Sequence, residues 1–499
     1  MKANKKTKAF KAVRGGDSYF RFLFGRRQWA DWAVILLATF LGLFLVRLSY
    51  PFPNTASDSF GYLACAFKDE FVAYRPFGYS YYLQVLYKLS HSIYSVAVSQ
   101  AVCYGLSIGL LMMAVKKYWP PRNKVRFLLF EALVSFSPAA LYMLNTILSD
   151  SLFCCLVFVL VAMVIVWIQE GSWVALCIYA LALFAAMHTR YSAMFFPLVF
   201  VPVFALKGNV FQRIVPIVAT AAVFLVFHAG VSSEMEKLTH KRQFSTGFDG
   251  WQLANNALHM LPHMDKEELM QKPPTEEMQM LHIICLANMP KILEYTHGKK
   301  RVTASFMWAK DSPLKEFTDF YLKRHEEMYY YDAWIALGSG LYRDYGIWLI
   351  THHPWKFIRY YLFPNSLQAF FPDYMEVFDR YIDIPAEKKE ITQWFTDAPK
   401  DGLHARNEGY GKFLKLVLPW LELLTWLMLF ASLILLIVRK TPLSRETKLC
   451  LLLIFLFGFI YYSTTVFASP IAARYWMPMH AIKLSFVWIA WRASIKAEK

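Results

Sequence analysis

Two carboxylates and three guanidinium groups recur at one depth along this chain. Ser57-Asp58-Ser59-Phe60-Gly61-Tyr62 follows the first long apolar run. A helix beginning at Ser57 would cap itself and place Asp58 and Tyr62 on one face, a carboxylate beside a phenol. Tyr74-Arg75-Pro76-Phe77-Gly78-Tyr79 comes next. There Arg75 offers a planar fork suited to phosphate, and Pro76 fixes the turn into a second helix. Asp150 opens a later apolar run, Arg190 stands between two more, and Arg474-Tyr475 opens the last. Taken singly, each reads equally well as an interfacial side chain reaching toward headgroups, and Asp58 as a carboxylate complementing a helix dipole. Taken together they suit one reaction: a carboxylate deprotonates an attacking hydroxyl while arginines hold an anionic phosphate leaving group.

The elements that must position these groups are set by hydropathy. With 57% hydrophobic and only 18% charged residues in 499, the chain is too apolar for a soluble multidomain protein, where charge runs near a quarter. Apolar runs of spanning length fall at approximately 29–49, 93–115, 127–147, 151–168, 173–188, 191–206, 214–230, 412–438, 448–467 and 475–493. That predicts an all-α polytopic membrane protein with about ten transmembrane helices. The basic short segments are the N-terminal tail, Lys116 to Arg126, Lys207 to Arg213, Arg439 to Lys448 and Arg492 to Lys499. Ten alternating spans put every one of them on the cytoplasmic side, with both termini. The opposite face receives residues 50–92, the corners 145–150 and 188–190, the long insert 231–411 and residues 469–474, and with them the site. The expected organisation is therefore a basic cytoplasmic tail over 1–28 and an N-terminal transmembrane core over 29–230, whose first outer loop is 50–92. A mostly helical outward-facing domain follows over 231–411, then C-terminal membrane helices over 412–493 and a short tail over 494–499.

The formal charge of +17 is explained by orientation and anionic lipid, so no nucleic-acid partner is expected. Residues 19–24 are expected to lie along the inner leaflet. Five of the seven cysteines fall in apolar runs as small hydrophobes, and only Cys65 and Cys285 share the outer side, where a bond between them lacks any supporting spacing. Within the insert, Asp265 to Glu277 and Glu387 to Asp401 are polar. The aromatic stretch Trp348 to Tyr361, with His352, His353, Lys356, Arg359 and Pro354, reads as an interfacial helix, with re-entrant or spanning placement as the alternative.

At these residues the chain resembles the GT-C glycosyltransferases that use polyprenyl-phosphate sugars, such as protein O-mannosyltransferases and the lipid A aminoarabinose transferase. Asp58-x-x-x-Tyr62 with Tyr74-Arg75-Pro76-Phe77-Gly78-Tyr79-Ser80, Leu148-Ser149-Asp150, and Ala473-Arg474-Tyr475-Trp476-Met477-Pro478 carry the likeness. It covers roughly residues 29–230 and 412–493. The resemblance implies a GT-C-like bundle in a bacterial inner or plasma membrane. Asp58 is implied as the first-loop catalytic aspartate, acting as base toward the acceptor or orienting it, and Asp150 as the second-loop acid. Tyr62, Arg75, Tyr79, Arg190, Arg474 and Tyr475 are implied around the donor phosphate. The implied partners are a polyprenyl-phosphate-sugar donor, a lipid, glycan or protein acceptor, and membrane lipids. Asp58 lacks a second acid before it, Ala56-Ser57 standing there instead, so no obligatory cofactor is expected and a divalent metal is not indicated.

Other polar residues compete for attention. His352-His353 are neighbours that point about 100° apart on a helix, and His259 and His263 lack the acidic pattern of a zinc protease, so headgroup contact and packing are preferred to metal. Lys483, with His480 nearby, is an ionisable group inside a span, read as a contact for lipid phosphate or as half of a buried pair. Glu131 is expected to pair with Arg126, and Glu422 to face the bundle interior. Two rival readings are a transporter or flippase of lipid-linked anionic glycans, and an O-antigen ligase or polymerase with a diphosphate-linked donor. The first is disfavoured by polar groups gathered at one face and by the lack of related halves. The second is disfavoured by the Asp-x-x-x-Tyr pattern.

Overall fold

The structure, a computed structural model, describes residues 18–69, 75–205, 210–245, 247–296, 302–371, 389–438 and 443–496. The tail before Ser18, Tyr74 of the first-loop motif, and parts of the polar stretch 387–401 and of three basic segments lie outside the described residues. Among the described residues every regular element is helical, and one isolated bridge joins Asn54 to Thr146.

Helices α1 (Trp29–Ser49), α2 (Ser57–Lys68), α3 (Gly78–Leu89), α4 (Tyr94–Tyr118), α5 (Lys124–Ser135), α6 (Pro138–Leu144), α7 (Ser149–Glu170), α8 (Trp173–Thr189) and α9 (Val210–Thr239) build the first part, with a 3-10 segment over Tyr191–Ala205. After the insert come α10 (Gly409–Val438), α11 (Arg445–Ala468) and α12 (Met477–Lys496). Six of these, α1, α4, α7, α9, α10 and α11, contain stretches long and apolar enough to cross a membrane. The pair α5 and α6, bent by 51° at the break before Pro138, would make a seventh; the proline removes an amide donor and ends the straight helix there. The chain is an all-α, multi-pass membrane protein. Helix α8 and the segment Tyr191–Phe200 are apolar but shorter, and α12 carries Lys483 and Arg492.

Helix α7 is buried along nearly its whole length and forms the axis of the bundle. By contrast α9 and α10 expose Leu225, Val226, Trp420 and Leu427 to their surroundings, as helices facing lipid do. The tail departs from expectation at Tyr19, which is buried and donates its phenol to the Leu110 carbonyl at 2.6 Å. That segment is docked on the bundle, with Phe24 exposed. Glu131 faces Asp31 and Lys116, not Arg126, on the side of α5 that packs against α1. All seven cysteines are free, Cys65 and Cys285 included.

The insert folds around a second apolar core containing Trp251, Leu258, Leu281, Tyr345, Leu349 and Tyr361. The stretch from Arg343 to Phe370 is helical, with a break at His353 and one wider turn over Ile358–Leu362. It is two-faced: Trp348, Phe357 and Tyr361 enter the core, and Trp355 and Phe363 stay exposed. His353 is buried and faces Glu268 at 3.7 Å, and Lys356 bonds to the same carboxylate. Where a headgroup contact was expected for His353, an internal carboxylate takes its place.

His259 is sealed into this core, its Nδ1 directed at the Asn255 and Asn256 carbonyls (3.2 Å each) and its Nε2 accepting from the Thr303 amide at 3.4 Å. Burial pushes it down to about 4, so it is neutral in the fold while the unfolded chain protonates near 6.5. Stability from this group is fully present above pH 6.5 and is lost as pH falls from 6.5 toward 4, by roughly 3 kcal/mol in all. Thermal unfolding followed across that window should show this slope, and His259→Gln should flatten it. An unchanged slope in the variant would remove His259 as its source.

Two asparagines fasten the insert to the bundle. Asn256 donates to the Phe467 and Ala468 carbonyls (3.1 and 3.0 Å), capping the end of α11. Fully buried Asn365 donates to Val466 and Ser469 (2.8 Å each) and accepts from the Ile471 amide at 2.9 Å. The polypeptide just before Arg474 is thereby held by the insert. Its far end is tied down too, Trp394 donating to the Leu63 carbonyl at 3.1 Å and Asp397 accepting from the Ile93 amide at 2.7 Å.

Candidate active site

The first-loop hairpin is built by two close approaches. Helix α2 starts with Ser59 accepting from the Ala56 amide at 2.8 Å and donating to the Ile147 carbonyl at 2.7 Å, so Ser59, not Ser57, anchors its N-terminus on the corner before α7. Gly61 leaves room for Arg75 to lie across α2, since a Cβ there would meet Nη1 at 2.8 Å. Gly78 brings α3 against the His188 carbonyl, which a Cβ would meet at 2.6 Å. The first loop is thus pressed onto the corner that carries Arg190.

Behind it, amide side chains replace the backbone partners that the corners lack. Asn145 donates to the Tyr50 and Phe52 carbonyls (3.0 Å each), Asn54 donates to Tyr142 at 2.9 Å, and Gln100 donates to the Leu144 and Thr146 carbonyls (2.8 and 3.0 Å). Buried backbone groups left unpaired would each cost on the order of 1–3 kcal/mol. These amides were not singled out from sequence. The signal was present in Gln100, a polar side chain inside an apolar run.

On this frame the five charged residues form one row. Arg75 Nη2 meets Asp58 Oδ1 at 2.7 Å, and its Nη1 donates to the Asp58 carbonyl at 2.8 Å. Arg474 Nη2 reaches Asp58 Oδ2 at 3.3 Å and its Nη1 lies 3.6 Å from Asp150 Oδ2. Arg190 Nη1 bonds to Asp150 Oδ1. The order is Arg75, Asp58, Arg474, Asp150, Arg190, with Arg474 bridging carboxylates supplied by α2 and α7. Asp150 is 4% exposed and Asp58 32%, so one carboxylate is an internal anchor and the other is partly accessible. The Tyr475 ring lies 4.7 Å from the Arg190 guanidinium carbon and 5.4 Å from that of Arg474. Tyr461 donates to the Tyr475 carbonyl and fixes that turn.

Burial opposes the charge on Asp58, but Arg474 and Arg75 outweigh it and hold its carboxyl below the usual carboxylate range. Tyr62 is buried beside Asp58, shares a 3.0 Å hydrogen bond with Ser149 and packs under Arg75 at 5.2 Å. Burial raises its phenol, so it serves as a neutral support. Tyr79 lies one layer deeper, fully buried and donating to Gln100 at 3.1 Å.

Lys483 is not brought to this row. It lies lower on α12, buried, bonded to Glu422 and 4.3 Å from the Trp426 ring centroid. A buried lysine is retained by an internal partner, and here that is the inward-facing Glu422. Among the described residues no group of three or more His, Cys, Asp or Glu side chains could hold a metal ion. Comparison with protein-family models, with curated proteins and with solved structures gives no match.

Proposed function

We propose that this chain is an inverting glycosyltransferase that moves a sugar from a polyprenyl-phosphate donor to an acceptor at the membrane face carrying the insert. The observation that carries the reading is the alternating row of three arginines and two aspartates, assembled from four separate parts of the chain around a partly open carboxylate.

Charge accounting supports it. Three guanidiniums against two carboxylates leave one net positive charge, which suits the single negative charge of a phosphodiester donor. In the reaction the acceptor hydroxyl gives its proton to Asp58, its oxygen forms the new bond to the anomeric carbon, and the bond from that carbon to the phosphate oxygen breaks. The polyprenyl phosphate leaves as a monoester with one more negative charge. With Asp58 protonated, the row has gained one positive charge in the same step. Stabilising charge where it develops is the largest general source of catalytic rate.

The ion pairs also supply an order of events. While Arg75 and Arg474 hold Asp58, its carboxylate is a weak base; a donor phosphate that takes those guanidiniums relieves the depression and raises its affinity for a proton. Donor binding thereby prepares the base. The finer architecture follows the same reading: about ten spans in a GT-C-like bundle, both termini cytoplasmic, the site outside, and Asp150 as the fixed counter-charge that orients Arg190 and Arg474.

The test is to incubate the purified protein with a polyprenyl-phosphate hexose and follow release of polyprenyl phosphate with acceptor lipids or glycans present. Release that requires both substrates, with inversion at the anomeric carbon, is expected. Donor binding without transfer to any acceptor, together with passage of the intact donor across a vesicle membrane, would overturn the enzyme in favour of a transporter.

A further inference from the structure

A second basic site lies at the opposite end of α12 from Arg474. Arg474 and Arg492 are separated by 18 positions on and just before this helix, roughly 27 Å at about 1.5 Å per residue, close to the thickness of a bilayer's hydrocarbon layer. Here the short connection between α4 and α5 folds against the last turns of α12 and leaves a cleft of about 270 Å³. Arg122, Asn123, Arg126, Trp488, Trp491 and Arg492 line it, together with Ile495, and among the described residues no carboxylate does.

The wall is built. Arg492 is 8% exposed and its Nε donates to the Pro120 carbonyl at 2.8 Å. Its Nη1 is buried without a hydrogen-bond partner among the described residues. Trp488 donates to the Trp119 carbonyl at 3.2 Å and packs on Phe127 and Phe130, with ring centroids 4.8 Å away in both cases. Trp491 lies edge-on to it at 5.4 Å. The rim is exposed charge: Arg122 and Arg126 are exposed, and Arg122 donates a long 3.4 Å bond to the Ile495 carbonyl. A buried guanidinium with an unused donor is costly unless an anion completes it. Two further arginines and an indole wall at the end of a membrane helix define the anion as one attached to an apolar chain.

We propose that this cleft binds the phosphate of an anionic phospholipid, with Arg492 Nη1 donating from the floor, Arg122 and Arg126 closing over the headgroup, and Trp491 and Ile495 against the first acyl carbons. The inference rests on the cleft alone and is independent of the sugar-transfer reading.

The experiment uses the full chain in detergent micelles doped with phosphatidylglycerol, with phosphatidylcholine, or with inorganic phosphate, reading lipid binding by native mass spectrometry and the unfolding midpoint by heat. Phosphatidylglycerol is expected to bind more tightly than phosphatidylcholine and to raise the midpoint. In Arg122→Gln/Arg126→Gln, which alters two exposed side chains, its affinity should fall roughly 25-fold, at about fivefold per arginine, while the lipid-free midpoint stays unchanged. Arg492→Gln should lose the same preference even if its own midpoint drops. Equal binding of the two lipids, or undiminished phosphatidylglycerol binding by the double variant, would overturn the site. A midpoint raised equally by inorganic phosphate and abolished in the double variant would overturn the lipid as its source.

Discussion

Asp58→Asn is expected to lower turnover by roughly 10²–10⁴-fold, the usual contribution of a positioned general base, while binding the donor at least as tightly as the unaltered protein. The two halves of this expectation have one cause. Asparagine keeps the shape of aspartate, and its single amide oxygen can still accept from Arg75, which meets Asp58 Oδ1 at 2.7 Å, while its Nδ2 takes the place of the oxygen that Arg474 meets at 3.3 Å and accepts nothing. It cannot take the acceptor proton, so the chemical step fails. Removing one of two carboxylates also leaves both guanidiniums less neutralised, and a phosphodiester then competes for them more easily. A split of this kind, with the turnover number down and the donor dissociation constant unchanged or smaller, is not what a misfolded loop gives, since misfolding weakens both. The pH dependence carries the same signature. In the donor-free protein the arginines hold Asp58 below the usual carboxylate range, so the acid limb governed by the free protein should lie at lower pH than the acid limb of the donor complex. Turnover by the variant within a few-fold of the unaltered protein would remove Asp58 as the base, and a variant that neither binds donor nor turns over would return it to a structural ion pair.

Much of this arrangement is legible in residue types because a bilayer penalises charge at every depth except the ends of spans. Asp58, Arg75, Asp150, Arg190 and Arg474 could be grouped from hydropathy alone, since each falls at the end of an apolar run or in the loop that follows one. Their order in the row could not. That Arg474 bridges the two carboxylates depends on α12 packing beside α7 and on the insert holding the preceding turn through Asn365, contacts more than a hundred residues apart. Lys483 shows the opposite failure. Charge inside a span is a sound signal of an internal partner, but sequence gives neither the partner nor the side of the helix, and Glu422 on α10 supplied both. Glu131 pairs differently from the expected Arg126 for a similar reason, its partners Asp31 and Lys116 coming from other helices. The insert was least legible. Its core is organised by aromatic packing and by side-chain amides capping backbone carbonyls, neither of which leaves a regular period.

Arg474→Gln separates the structural work of the row from its chemistry. Asp150 is 4% exposed, and removing one of its two guanidiniums strands part of a buried charge, a change that costs about 3–5 kcal/mol when a buried pair is broken. The variant should therefore unfold at a markedly lower temperature, and its loss of transfer would by itself say little. Adding Asp150→Asn removes the stranded charge along with its partner. The double variant Arg474→Gln/Asp150→Asn should recover only part of the lost stability, since replacing both members of a buried pair is milder than replacing one but Arg190 then loses its carboxylate partner. It should not recover transfer, because one guanidinium is then missing from the row proposed to receive the departing phosphate. The pairwise coupling in stability should be large, and the coupling in catalysis small, when the two are measured as double-mutant cycles by unfolding and by polyprenyl phosphate release. Recovery of both together would make Arg474 a support for Asp150 with no part in the reaction. Recovery of neither would mean that the link from Arg474 to Asp58, rather than its contact with Asp150, holds the first loop in place.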